Sequence, residues 1–264
     1  MRATSTTDSN VTATGTIVFN AAPTCSLDVD GDGAILATTD GLLIIRNGCI
    51  DWFGQWEEGK DRIPTEVRVR DYRGKMIVPG FVDTHIHYPQ SEMVGAYGEQ
   101  LLEWLNRHTF PAERRYNDLE YAREMSTFFI KQLLRNGTTT ALVCGTVHPD
   151  SVDALFEAAS RINMRMIAGK VMMDRNAPDY LLDTAESSYE QSKALIERWH
   201  GNGRLLYAIT PRFAPTSTPA QLAMARRLRE EYPTTYLHTH LCENKDEIAW
   251  VKSLFPEHQG YLDV

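Results

Sequence analysis

The sequence predicts an α/β fold: strand–helix units on a largely parallel sheet, preceded by a small antiparallel β unit. Three observations predict it. From Lys75 onward, apolar runs of strand length alternate with amphipathic helical stretches, the pattern of strands buried on both faces. Before Lys75 the runs are short and separated by turn dipeptides, the pattern of hairpins. The chain has 264 residues, 42% of them hydrophobic, enough for one large α/β domain or two ordinary ones.

Residues 1–14, rich in Ser and Thr, read as a disordered tail. In GLLIIRNGCIDWFG (41–54), two apolar runs flank Asn47-Gly48, a dipeptide suited to the positive φ angles of a type I′ turn. VRVRDY (67–72) alternates at period two and precedes Arg73-Gly74, read as another turn. A small antiparallel β domain is therefore expected over 15–75. Beyond it, strands are expected at 76–85, 138–144, 166–173, 204–210 and 235–241.

The helices between them have legible ends. Asn117-x-x-Glu120 forms a capping box for a helix reaching Asn136, with Gly137 as its stop. A helix over 184–200 stops at Gly201-Asn202-Gly203. Thr218-Pro219-Ala220-Gln221 gives the next an N-cap, a proline at the first helical position and Gln at the third. The last, 244–255, ends before Pro256, and LLEWLNRHTFPAERRY (101–116) is a helical insertion after the first strand. Five units complete a doubly wound sheet or fill five-eighths of a (β/α)8 barrel. No GxGxxG or GxxxxGK[ST] phosphate loop follows any strand.

Composition excludes several function classes. The net charge is −8, and the basic residues are scattered among acids with no stripe to follow a phosphate backbone, so nucleic acid is not an expected partner. Cys25, Cys49, Cys144 and Cys242 form no CxxC pair, which argues against a disulfide framework and fits a reducing cytoplasm. The N-terminus lacks the apolar region of a signal peptide, and no stretch approaches the roughly 20 apolar residues of a membrane helix. A cytoplasmic protein without a membrane partner is expected.

Two stretches carry metal chemistry. In PGFVDTHIHYPQ (79–90), strand alternation sends His85 and His87 to one side with Asp83 below them, at the C-terminal end of a buried strand, where α/β folds place their sites. YLHTHLCEN (236–244) repeats the pattern with His238 and His240 and adds Glu243. Four of the 8 histidines thus form two HxH pairs at strand ends. Either they converge on a divalent metal or they are core histidines satisfied by hydrogen bonds, and His238 fits the second reading. Imidazole ligands suit zinc or iron rather than magnesium or calcium. Glu243 is placed as a proton shuttle for an activated water, or as a carboxylate favoured by a helix N-terminus.

In ITPRFAP (209–215), Arg212 and Phe213 offer a donor fork and an aromatic face to a planar, carbonyl-bearing heterocycle; a solvated Arg and a packing Phe is the alternative. Gln90 could add amide hydrogen bonds. Lys170 reads as a buried partner of Asp174 or another acid in preference to a carboxylated metal bridge, and Cys144 and Cys242 as small core residues.

Taken together, PGFVDTHIHYPQ, NGTTTA, TPRF, HTHLCEN and the segment LLEWLNRHTFPAE resemble the amidohydrolase superfamily and, within it, bacterial guanine deaminases. The resemblance runs from about residue 15 to the last. It implies a metal-dependent (β/α)8 barrel with a small β-sandwich domain, the barrel occupying 76–264 here, one zinc (or iron) ion, and hydrolysis of guanine to xanthine and ammonia in purine catabolism or salvage. It places His85, His87 and His240 on metal ligands and Glu243 on the catalytic acid/base. Gln90, Arg212 and Phe213, with the ligands His87 and His240 and with Glu243, fall on substrate-contacting positions, and Leu101 and Trp104 wall the pocket. A homodimer is implied. The family continues through three more barrel units that supply another histidine and a metal-binding aspartate. This chain stops at YLDV before them, so a truncated polypeptide with open sheet edges and very low turnover is expected. The competing expectations are another amidohydrolase acting on an aminated heterocycle or cyclic amide, and a non-catalytic fragment that binds metal or subunits.

Overall fold

A computed structural model describes residues 16–29, 35–38, 40–96 and 100–264; the tail expected over 1–14 lies outside them. The chain divides into two compact units, Met1–Phe81 and Val82–Val264.

In the first unit, strands β1 (Thr16–Val29), β2 (Ile35–Thr38), β3 (Gly41–Arg46), β4 (Cys49–Gln55) and β5 (Val69–Ile77) form one sheet of order β2-β1-β3-β4 with β5 alongside β1. The β3–β4 hairpin turns at Asn47-Gly48, with φ of 53° and 80°, as the dipeptide predicts. Its core is Leu42 and Ile44, with Trp52, Trp56, Ile63, Val67 and Val69 packed on them.

Two features differ from expectation. The sheet is mixed, because β5 runs parallel to β1. A parallel neighbour needs a long crossover, and residues 56–68, including the short helix α1 (Trp56–Gly59), supply it. Arg73-Gly74 does not end the strand but lies within β5. Gly74 takes φ 81° where the pairing jumps from Ala22↔Arg73 to Thr24↔Ile77, so the glycine absorbs a β-bulge.

The second unit carries β6 (Phe81–His87), β7 (Thr138–Cys144), β8 (Arg165–Gly169), β9 (Val171–Met172), β10 (Leu205–Pro211) and β11 (Tyr236–Leu237) in one sheet of order β11-β10-β8-β7-β6, with β9 also on β10. The strand expected over 76–85 is divided. Met76 and Ile77 close β5, and β6 opens only after Pro79-Gly80, since proline has no N–H to give a ladder. The strand expected over 235–241 is regular only at Tyr236 and Leu237, although His238 N–H still donates to Ile209 O and His240 N–H to Arg212 O.

The insertion forms α2 (Leu101–Trp104), a π turn and α3 (Phe110–Arg114). Helices α4 (Leu119–Arg135), α5 (Pro149–Arg161), α6 (Ala185–Trp199), α7 (Pro219–Glu231) and α8 (Lys245–Leu254) follow the strands. The N-cap of α4 is Asp118 rather than Asn117. Its carboxylate accepts from Glu120 N and Tyr121 N, while Asn117 belongs to the preceding 3-10 turn. Thr184–Ser187 and Asn244–Glu247 form complete capping boxes. Thr218 caps α7, but the Gln221 side chain turns inward to Ser188 and Ser217.

Strand order increases without reversal, and neighbouring helices α4–α5, α5–α6 and α6–α7 pack on one another. A doubly wound sheet would reverse its order at a switch point; the arrangement here is a curled half-barrel of the (β/α)8 kind. Between sheet and helices lies a core that includes Tyr88, Phe129, Leu155, Phe156, Met166 and Tyr207. At Gly169 the backbone of β10 is so close that a Cβ would lie 1.7 Å from Ala208 O.

Candidate active site

β6 and β11 are the two edges of this sheet, yet their C-terminal ends meet. His87 Nε2 lies 2.9 Å from His240 Nε2, and His85 Nδ1 3.3 Å from His238 Nε2. Curling of the sheet thus brings together two HxH pairs separated by 153 positions. The ligand atoms of His85, His87, Cys144 and His240 all lie within 4.8 Å of one another.

Hydrogen bonds set the chemistry of these rings. His240 Nδ1 is 2.8 Å from Arg212 O; it donates there, which leaves the Nε2 lone pair facing His87. His87 Nδ1 is buried without a partner. Asp83 Oδ1 accepts from the His85 backbone N–H at 3.1 Å and so braces the strand end. Burial, followed by the charge of Arg212, holds His87 well below the usual histidine range. Burial likewise brings His238 and His240 down to about 4. Each of these shifts, in His87, His238 and His240, favours the neutral imidazole, the ligating form. Three imidazoles and a thiol around one point, with one ring nitrogen orphaned, fit a borderline-soft divalent cation.

Two residues read from the sequence as core members sit in this cluster. His238 is buried, and Cys144 Sγ lies 3.6 Å from its Nδ1. Burial pushes the Cys144 thiol up to about 12.

Glu243 is exposed, three positions past His240 and just after Cys242, whose φ of 58° turns the chain sharply before α8. A non-glycine residue in the left-handed region is uncommon and gathers at functional sites. Partial desolvation and the neighbouring Glu247 raise the Glu243 carboxyl above its ordinary range.

Arg212, at the end of β10, is buried rather than solvated. Its Nη1 donates to Glu113 Oε1 and Oε2 at 2.9 and 3.0 Å, and its guanidinium lies 5.4 Å from the centre of the Phe110 ring. Phe213 is also buried and lines a cavity of about 230 Å³ with Phe110, Asn106, Asn176 and Trp250 among its walls. Leu101 and Trp104 pack on the same apolar cluster as Phe213. Gln90 is partly buried in the 3-10 turn that follows β6. Lys170 pairs with Asp183, not Asp174; Asp174 instead accepts from Thr218 N–H at 2.7 Å. Glu113 carried no sequence signal, since nothing in its spacing marks a partner 99 positions away.

The amidohydrolase family model matches residues 76–264. The chain belongs to the amidohydrolase family. Amidohydrolases are metal-dependent, and the His85, His87, Cys144 and His240 group is one that could hold a metal ion. The guanine deaminase of Escherichia coli (strain K12) is 84% identical over 225 residues, which are 85% of this chain and 51% of that protein. The solved structure of E. coli guanine deaminase superposes with a TM-score of 0.89 at 75% identity, covering 94% of this chain and 58% of that one. A guanine deaminase from C. acetobutylicum, solved with guanine bound in its active site, gives 0.83 at 28% identity, with 94% and 58% covered. This amidohydrolase chain spans about half the length of the curated relatives it matches.

Proposed function

We propose that this amidohydrolase chain carries the zinc- and purine-binding parts of a guanine deaminase, which hydrolyses guanine to xanthine and ammonia. The observation that carries the reading is the meeting of His85, His87 and His240 at strand ends, with the His240 ring hydrogen-bonded to the backbone of Arg212. His85, His87 and His240 hold one zinc ion. When bound, zinc supplies a Lewis acid that brings the pKa of water to about 7.

Glu243 takes one proton from the attacking water and delivers it to a purine ring nitrogen as oxygen adds to the amine-bearing carbon; the second proton of that water passes to the amine as the C–N bond breaks and the new carbonyl forms. The first transfer suits a carboxyl of raised pKa. Arg212 donates to the guanine carbonyl, Gln90 hydrogen-bonds the ring edge, and Phe213 packs against the purine. A small β domain over 15–75 and a barrel domain over 76–264 accompany this reading. So do a cytoplasmic homodimer acting in purine catabolism or salvage, and free guanine, neither nucleic acid nor membrane, as partner. Among the described residues, no helix is long and apolar enough to cross a membrane.

Metal analysis of the purified protein distinguishes zinc from iron. Product release from guanine, adenine, cytosine and a dihydropyrimidine then tests the reaction. Guanine is expected to be preferred, with xanthine as product; faster turnover of any of the others overturns the assignment.

A further inference from the structure

We propose that Glu113 is a positioning residue for purine recognition, fixing Arg212 so that its remaining N–H groups form a charge-compensated donor fork for the substrate carbonyl. The inference rests on the guanine deaminase reading above and adds to it a residue of the helical insertion. Glu113 is fully buried in α3, and both its oxygens engage a single nitrogen, Arg212 Nη1. Arginine carries five N–H donors in a rigid plane. Among the described residues its side-chain hydrogen bonds run through Nη1 alone, which leaves Nη2 and Nε for a ligand. Phe110, three positions before Glu113 on the same helical face, lies against the guanidinium. One short helix therefore both anchors the fork and walls it.

Pairing has two consequences. A long side chain otherwise free to rotate is held in place before substrate arrives, which lowers the ordering cost of binding. The carboxylate also neutralises the guanidinium, so the pair offers donors without net charge, and that suits a neutral carbonyl oxygen over an anion. A pair that merely tied the insertion to the barrel would not depend on which group the purine carries at that position.

The test compares wild type with Glu113→Gln, both zinc-loaded. Binding of hypoxanthine, which bears the carbonyl, and of 2,6-diaminopurine, which has an amine in its place, is measured by calorimetry beside guanine kinetics. Losing a charge-assisted, pre-organised contact is expected to weaken hypoxanthine and raise the guanine KM by about tenfold, with kcat changed by less than about threefold. Diaminopurine affinity is expected to move less than about twofold. Equal losses for both purines, or none for hypoxanthine, overturn the inference while leaving the functional reading intact. Wild-type protein that deaminates adenine or cytosine faster than guanine overturns only the functional reading; wild type that binds neither purine overturns both. Should Glu113→Gln fail to fold, Glu113→Asp, which keeps the charge but shortens the reach, is expected to show the same selective loss in smaller measure. Equal weakening of both purines by that variant overturns the inference.

Discussion

His240 is gripped from two sides by the same atom, the carbonyl oxygen of Arg212, which accepts from its backbone N–H at 2.9 Å and its ring Nδ1 at 2.8 Å. The ring can thus meet a metal only through Nε2. Replacing His240 by Ala is expected to drop bound zinc, read by plasma emission, from about one ion per chain to about a tenth or less, because two imidazoles alone make a weak site. Glu243→Gln should retain zinc yet lower kcat by about a hundredfold or more, the range of a lost general acid/base. At this scale the sequence was legible where periodicity marks a face. HxH at a strand end declares itself, and the structure brings the two pairs together. Glu113 and Cys144 did not, because their importance comes from neighbours on other strands and helices. The burial of Arg212 against Glu113 was hidden for the same reason.

β8 and β9 are parted by Lys170, whose ammonium is fully buried and held by Asp183. Burial lowers the lysine pKa and raises that of Asp183, and each partner's charge opposes the shift of the other. Lys170→Met is expected to cost about 3–5 kcal/mol in urea unfolding by stranding Asp183, and Lys170→Met with Asp183→Leu to recover most of it. Gly169→Ala, forced onto the carbonyl of Ala208, should cost about 1–3 kcal/mol or more by the same measurement. Element boundaries were readable where signals agreed, as at Thr138–Cys144. They failed where one signal serves two structures: a glycine at positive φ closes a turn at Gly48 but makes a bulge at Gly74.

For the whole molecule, the decisive fact is that consecutive strands stay neighbours while the sheet edges meet. Five strand–helix units could not by themselves distinguish that from a doubly wound sheet, because strand order is a long-range property absent from local pattern. The fold also dictates a pH response away from the metal ligands. His200 Nδ1 accepts the Tyr207 N–H at 3.0 Å, and desolvation lowers the pKa of His200. Desolvation and Lys170 lower that of His148. Folded histidines with depressed pKa values bind fewer protons than unfolded ones below about pH 6.5. Their stabilisation is therefore complete above that pH and is lost as pH falls through their folded values. The urea midpoint is expected to fall between pH 7 and 5, and less so in a His148→Gln, His200→Gln variant.

The double grip on His240 has an evolutionary reading as well. Every residue has a carbonyl, so any amino acid at position 212 could keep the ring oriented while its side chain offered a different hydrogen-bonding face. Substrate preference is free to drift at that position without disturbing the metal: Arg212→Met should bind zinc as before while losing its purine. Inheritance of the reaction and change of its substrate are thereby separated within a single residue.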